Sequence, residues 1–235
     1  MLKLATRLAL LLLCLLPPAG SALARDGRRP VVVELFTSQG CGACTKANAL
    51  VADLAERRDV LALTFPVDYW DYLGWKDPFA QPEFSTRQRA YMKASGQREV
   101  YTPQVVVDGV PQPDKGAVEK APELIRAALR SAPPEPAMLL SGGKLQVGSG
   151  PAPRGGADVW LVRYEAQPRE TEVKDGENRG VTVVYRNVVV GLERLGGWTG
   201  RPRAYVISKS SGDDQKLAVL LQARATGRIL GVLKP

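Results

Sequence analysis

Two cysteines separated by a Gly-Ala pair stand between a short apolar run and an amphipathic stretch. The cysteines are Cys41 and Cys44, and the apolar run before them is Val31–Phe36. Such a run has the length and composition of a buried strand. A cysteine in the first turn of the helix that follows would face unpaired N–H groups and the positive end of the helix dipole, which stabilise a thiolate. The sequence therefore predicts thiol–disulfide chemistry.

Two other uses of the motif stay open. Zinc needs about four ligands, and the chain has no histidine and only one further cysteine, Cys14. This disfavours a zinc site within one chain, whereas a site shared by two chains stays open. A closed structural disulfide is the second alternative, although so small a ring stabilises little by loop closure. The sequence thus predicts redox chemistry without a metal or a cofactor.

Residues 1–24 have the pattern of a secretory signal peptide. A basic start is followed by the apolar stretch Leu8–Leu16, and a small-x-small pattern predicts cleavage near Ala24, which would remove Cys14 with the leader. This stretch is shorter than the ~20 residues of a membrane span, and so is every later apolar stretch. We therefore expect an exported protein, periplasmic or secreted, with no transmembrane segment in the mature chain.

The net charge of +8 gives little information about partners. Lysine and arginine are scattered along the chain, and no stripe of alternating aromatic and basic residues is present. Such a distribution is typical of a solvated basic surface, so no nucleic-acid partner is predicted.

A proline-rich linker at residues 133–136 divides the chain. Upstream, the pattern of apolar residues over residues 25–132 predicts an α/β domain. The order of its elements is strand, helix, strand, insertion, strand, hairpin strand, helix. The insertion, about residues 66–100, is rich in aromatic residues and contains a predicted helix, Glu83–Met92. Downstream, residues 137–235 predict a smaller all-β, sandwich-like domain. The strands predicted there are residues 157–165, 181–190, 203–208 and 217–223.

This order resembles the thioredoxin fold over about residues 30–130. The resemblance rests on the C-x-x-C motif at the start of the first helix and on Thr102-Pro103 before the hairpin strand. It implies that Pro103 follows a cis peptide bond and packs against the cysteines, and that the backbone at Thr102 binds an extended substrate by strand addition. Tyr101 is assigned to the same substrate contact. An ordinary trans proline at a strand entry is the alternative.

The resemblance also implies a buried acid on the first strand that relays the proton of the second cysteine. Glu34 stands in about that place, and a solvent-facing glutamate at the strand edge is the alternative. In exported disulfide oxidoreductases a helical insertion covers the active site. Trp70, in the aromatic insertion, is therefore predicted to contact substrate, with an aromatic mini-core as the alternative.

Three longer segments resemble a family of secreted bacterial thioredoxin-like proteins, catalogued as domain of unknown function 1223. They are Glu34–Cys41, Val67–Asp71 and Tyr185–Val189. The family brings no established reaction.

We therefore predict an exported thiol–disulfide oxidoreductase. Cys41 would attack or carry the mixed disulfide and Cys44 would resolve it. A thiol or disulfide protein client and a redox-recycling partner are the predicted partners. The alternative is a non-enzymatic thioredoxin-like binding module with a structural disulfide.

Overall fold

The structure of the chain, a computed structural model, describes residues 29–112, 117–131, 133–208 and 214–235. The predicted signal peptide, residues 1–24, lies outside the described residues. None of the helices in these ranges is both long and apolar enough to cross a membrane.

The first half of the chain alternates strands and helices. Its elements are β1 (Val31–Thr37), α1 (Thr45–Ala55), β2 (Val60–Pro66), α2 (Pro82–Ser95), β3 (Gln104–Val107), β4 (Val110–Pro111) and α3 (Ala117–Ser131). A 3₁₀ turn, Asp68–Leu73, precedes α2 in the insertion. The predicted helix Glu83–Met92 is confirmed, and the observed helix is longer by one residue at its start and by three at its end, where it reaches Ser95. Its first residue, Pro82, suits a first helical turn because that position needs no N–H.

The second half contains only strands within its described residues. They are β5 (Met138–Ser141), β6 (Lys144–Val147), β7 (Ala157–Glu165), β8 (Arg169–Glu172), β9 (Thr182–Tyr185), β10 (Val188–Trp198), β11 (Arg203–Val206), β12 (Gln215–Ala223) and β13 (Ile229–Leu233). The run predicted as one strand, residues 181–190, is interrupted because Asn187 turns the chain with a φ of 48°. Asparagine adopts this left-handed conformation more readily than most residues.

Eight strands form one mixed sheet in the order β13-β12-β7-β10-β2-β1-β3-β4. β1 is parallel to β2 and antiparallel to β3. The two halves of the chain meet where β10 runs parallel to β2, with Val188 opposite Thr64. The strands after the predicted linker therefore do not form a sheet system of their own, because four of them extend the sheet of the first half. A three-stranded sheet, β11-β6-β5, and the hairpin β8–β9 are separate from it.

Both faces of the large sheet are covered. One face packs against α2, and this core includes side chains from both halves, such as Phe36, Phe84, Val162 and Leu220. On the other face, α1 and α3 cover the strands of the first half, and the three-stranded sheet covers β7 and β12. The sheet curls around α2, because its two ends touch: the N–H of Ile229 donates to the carbonyl of Asp108 at 2.9 Å.

A buried ion pair connects α2 to both halves of the sheet. Arg87 on α2 donates to both carboxylate oxygens of Glu34 on β1, at 2.6 and 3.0 Å, and to the side-chain oxygen of Gln222 on β12, at 3.1 Å. The side chains of Arg87 and Glu34 are only 4% and 1% exposed. The guanidinium lies over three aromatic rings, those of Phe65, Tyr91 and Trp160. A charge buried this deeply needs its counter-ion.

Replacing Glu34 by glutamine should lower the free energy of unfolding by about 3–5 kcal/mol, because Arg87 would keep a buried charge without a counter-ion. The matched control is Glu56→Gln, which removes the ion pair between Glu56 and Arg186. The side chain of Glu56 is 70% exposed. That loss should stay below about 1 kcal/mol, as for exposed pairs in general. Denaturant unfolding measures both values, and equally small losses would contradict the expectation.

Candidate functional site

Cys41 and Cys44 lie just beyond the end of β1, where the chain turns into α1. Their sulfur atoms form a disulfide, and their Cα atoms are 5.5 Å apart. Residues Gly42–Cys44 form one 3₁₀ turn, and α1 begins at the next residue, Thr45. The motif therefore has the strand before it and the helix after it that the sequence predicts.

The disulfide is buried. Cys41 is 1% exposed and Cys44 is 0% exposed. A segment of the second half contacts the motif, the connection between β8 and β9, residues 173–181, which we call the cover loop. A reagent can therefore reach either sulfur atom only after the residues that bury the disulfide have moved.

Two adjacent side chains of the cover loop bind the backbone of the cysteine motif. The Asn178 amide donates to the carbonyl of Gln39 at 2.8 Å and to the carbonyl of Cys41 at 3.0 Å. The Glu177 carboxylate accepts the N–H of Gly42 at 2.9 Å. The second half of the chain thus contributes directly to the surroundings of a disulfide that belongs to the first half.

The base of the cover loop is anchored in a small apolar cluster. This cluster contains Val173, Val183, Tyr185 and Val188, packed against Trp75, Phe79 and Val190. The loop also approaches the end of the 3₁₀ turn of the insertion, because a Cβ atom placed on Gly74 would lie 3.2 Å from a carboxylate oxygen of Asp175. The insertion and the hairpin β8–β9 therefore meet beside the cysteine motif.

A buried carboxylate, Asp77, lies behind the chain segment that leads to Cys41. One of its oxygens accepts the N–H of Gln39 at 3.0 Å and the hydroxyl of Tyr185 at 2.6 Å, and the other accepts the N–H of Phe79 at 3.0 Å. Burial raises the pKa of Asp77 above its ordinary value of 3.8, although these hydrogen bonds act in the opposite direction. Asp77 therefore links the insertion to the loop before Cys41 and to β9.

Glu34 is not brought to the cysteines. Side chains alternate along β1, so Glu34 shares the sheet face that packs against α2, whereas α1 packs against the opposite face. Both of its carboxylate oxygens accept hydrogen bonds from Arg87. The predicted role of Glu34 as proton relay for Cys44 stays a prediction, because its described hydrogen bonds are with Arg87. A different buried acid, Asp77, contacts the loop before Cys41, through the N–H of Gln39.

The predicted substrate residues follow the register of β3. Gln104 pairs with Phe36 near the end of β1, so Thr102 and Pro103 run alongside the segment that leaves β1 for the cysteines. Both residues are buried, and the peptide bond between them is cis. The Tyr101 hydroxyl donates to the carbonyl of Gln112 at 2.7 Å, so this side chain reaches the end of β4.

Trp70 lies between the Thr102–Pro103 segment and the loop before Cys41. Its indole N–H donates to the hydroxyl oxygen of Thr102 at 2.8 Å. On the other side, a Cβ atom placed on Gly40 would lie 3.6 Å from the Cβ of Trp70. Trp70 therefore lies between the loop before Cys41 and the Thr102–Pro103 segment, half-buried, and its N–H already has a partner.

Sequence reasoning missed three residues of this site: Asp77, Glu177 and Asn178. Asp77 precedes a proline, which marks a turn but not a buried acid. The other two residues belong to a polar stretch, Lys174–Gly180, whose composition is typical of an exposed loop. No local pattern indicates that such a loop returns to a motif more than 130 residues earlier.

The stability contributed by Asp77 should depend on pH. Because the folded protein holds this proton to a higher pH than the unfolded chain does, that contribution falls as the pH rises from 3.8 through the raised pKa. Asparagine does not titrate, so the difference in free energy of unfolding between the protein and its Asp77→Asn variant should shrink over this range. Urea unfolding of both proteins at several values from about pH 4 to about pH 7 measures it. A difference that is constant or grows with pH would contradict this expectation.

Comparison with known proteins gives a family and a fold. Residues 32–222 match a family described as "Protein of unknown function (DUF1223)". The crystal structure of protein AGR_C_4864 from Agrobacterium tumefaciens is 30% identical, with a TM-score of 0.67, over 88% of this chain and 93% of that chain. HBP35 of Porphyromonas gingivalis is 13% identical, with a TM-score of 0.59, over 88% of this chain and 75% of that chain, which is a likeness of fold alone. No curated protein matches. The chain therefore belongs to the DUF1223 family, as its motifs predicted.

Proposed function

We propose that the protein is an exported thiol–disulfide oxidoreductase that acts through Cys41 and Cys44. The observation that carries the proposal is the disulfide between these two residues at the junction of β1 and α1. A cysteine pair with this spacing, after a strand and at the start of a helix, is typical of redox sites. Disulfides persist in oxidising compartments, which agrees with the signal peptide expected in residues 1–24.

The topology around the motif supports a thioredoxin-like arrangement. Parallel strands β1 and β2 are joined through α1, and β3 and β4 follow as antiparallel strands on the other side of β1. α3 then follows β4 in the chain. This is the order that the resemblance implied. It also puts Thr102 and Pro103 beside the segment that leads to the cysteines, where an extended substrate would add to the site.

In the proposed reaction a client dithiol reduces the protein disulfide. A client thiolate attacks the sulfur of Cys41, the S–S bond breaks, and Cys44 leaves as the thiolate and takes up a proton. The second client thiol then attacks the mixed disulfide and releases Cys41, which is protonated in turn. Two electrons and two protons pass from client to protein, so the client gains a disulfide. The reverse sequence reduces a client, and a second thiol or disulfide protein restores the starting state.

A structural disulfide in a binding protein is the second candidate. The burial of both cysteines favours it, as do the contacts of Glu177 and Asn178 with the motif. In that case the pair would stay oxidised throughout the life of the protein, and the cover loop would be part of a permanent core. The two candidates differ in whether the folded protein exchanges its disulfide with another thiol.

Single-cysteine variants separate the candidates. The Cys44→Ser variant leaves Cys41 as the attacking thiol, and the Cys41→Ser variant leaves only Cys44. If the site is a redox centre, Cys41 should form a mixed disulfide with a peptide that contains one internal disulfide about tenfold faster than Cys44 does, because its thiolate is stabilised at the helix start. Non-reducing electrophoresis with mass spectrometry of the folded variants measures both rates. If neither variant forms an adduct while folded, the structural disulfide is correct.

A further inference from the structure

We propose that Glu177 and Asn178 control the reactivity of the cysteine pair. Asn178 holds the cover loop against the disulfide, and Glu177 places a negative charge on the backbone next to Cys41. The pair then reacts at its full rate only when a client displaces these two side chains. The proposal rests on the redox function proposed above and assigns its regulation to two residues of the other half of the chain.

The cover loop can leave the motif without dismantling a core. Its base, Val173, is fully buried, whereas most residues of its tip are exposed. The loop is closed on itself by backbone hydrogen bonds, including the N–H of Gly180 to the carbonyl of Val173 at 2.8 Å. Within the described ranges, the hydrogen bonds that join the loop to residues 39–44 are the two from Asn178 and the one to Glu177. Only these three bonds would break if the tip moved as a unit.

Asn178 is the part of the loop that secures it mechanically. Its side chain is buried and donates to two carbonyl groups on either side of Gly40. Alanine at this position would leave the carbonyls of Gln39 and Cys41 without this donor, and the hydrogen bond of Glu177 would then be the one that joins the loop tip to residues 39–44 in the described ranges. Removing such hydrogen bonds shifts the loop equilibrium toward open forms, by roughly three- to tenfold in population.

Glu177 acts through charge. It accepts the N–H of Gly42, a donor at the start of the turn that would otherwise be available to a Cys41 thiolate. A nearby carboxylate also disfavours a second negative charge on the sulfur. Other charged groups in the neighbouring segments include Asp77, bonded to the N–H of Gln39, Lys46, exposed on α1, and Asp175 and Arg179 in the cover loop itself. All of them stay unchanged in the variants below, so a change in reactivity reports on position 177.

The first test is reduction of the oxidised, folded protein by dithiothreitol, which becomes a cyclic disulfide as Cys41 and Cys44 become thiols. We expect Asn178→Ala to raise the second-order rate constant roughly three- to tenfold, and Glu177→Gln to raise it as well. The matched control is Glu193→Gln on β10, whose side chain is 44% exposed and pairs with Arg163, outside the cover loop. It should react at the parent rate. Parent rates for both cover-loop variants would overturn the proposal.

The second test excludes a merely structural effect of Glu177. In the reduced protein, the alkylation rate of Cys41 is measured against pH, with Cys44→Ser as the background. Glu177→Gln should move the profile to lower pH, because the thiolate loses a negatively charged neighbour while the glutamine oxygen can still accept the N–H of Gly42. Glu177→Asp, which keeps the charge, should leave the profile closer to that of the parent. A profile that does not move in Glu177→Gln would overturn the electrostatic part.

The two proposals fail in different ways. If dithiothreitol cannot reduce the folded parent or any variant, the redox function is wrong and the disulfide is structural. If the parent is reduced quickly and the cover-loop variants do not differ from it, the redox function stands and the control by Glu177 and Asn178 is wrong.

Discussion

The seam between β2 and β10 is the contact on which the candidate site depends. The N–H and the hydroxyl of Thr64 donate to the carbonyls of Asn187 and Arg186 at 3.0 and 2.7 Å. The Asn187 amide donates to the carbonyl of Ala62 at 2.8 Å. These bonds join the strands of the first half and four strands of the second half into one sheet. Since β9 ends at Tyr185, two residues before Asn187, the seam also fixes the position of the hairpin that carries the cover loop.

The site is therefore composite. The first half supplies the disulfide and the Thr102–Pro103 segment, and the second half supplies Glu177 and Asn178. Asp77 joins the two, because it accepts hydrogen bonds from the cysteine loop and from Tyr185 on β9. A carboxylate in this position stiffens the connection but is costly to bury, which its raised pKa reflects. An isolated first half would keep the cysteines and lose the hydrogen bonds that Glu177 and Asn178 make with the motif.

The sequence predicts local elements well where one strong signal dominates. β1, β2 and β7 are apolar runs with a clear start and end, and α2 begins at a proline. Asp108 and Gly109 form the predicted turn between β3 and β4, both with positive φ, as an Asp-Gly pair allows. The family follows from longer motifs.

Contacts between residues that are far apart in the chain could not be predicted from the sequence. The seam at Thr64 and Asn187 depends on two side chains with no shared local pattern. Glu34 illustrates the same limit: its place on β1 is predictable, but its partner Arg87 lies 53 residues away on a helix whose packing face is set by the whole sheet. The polar cover loop has no apolar periodicity at all, so its contacts with the backbone of the cysteine motif are visible only in three dimensions.

If Cys41 and Cys44 are a redox pair, their buried disulfide must exchange with thiols while the protein stays folded. Equilibration of the native protein with glutathione at stepped ratios of reduced to oxidised form tests it most directly, with the fraction of Cys41–Cys44 disulfide measured by mass after acid quench and the fold monitored by circular dichroism. We expect a reversible two-electron curve, identical from either starting state, in a protein that remains folded. A disulfide that stays closed at every ratio until denaturant is added would contradict it.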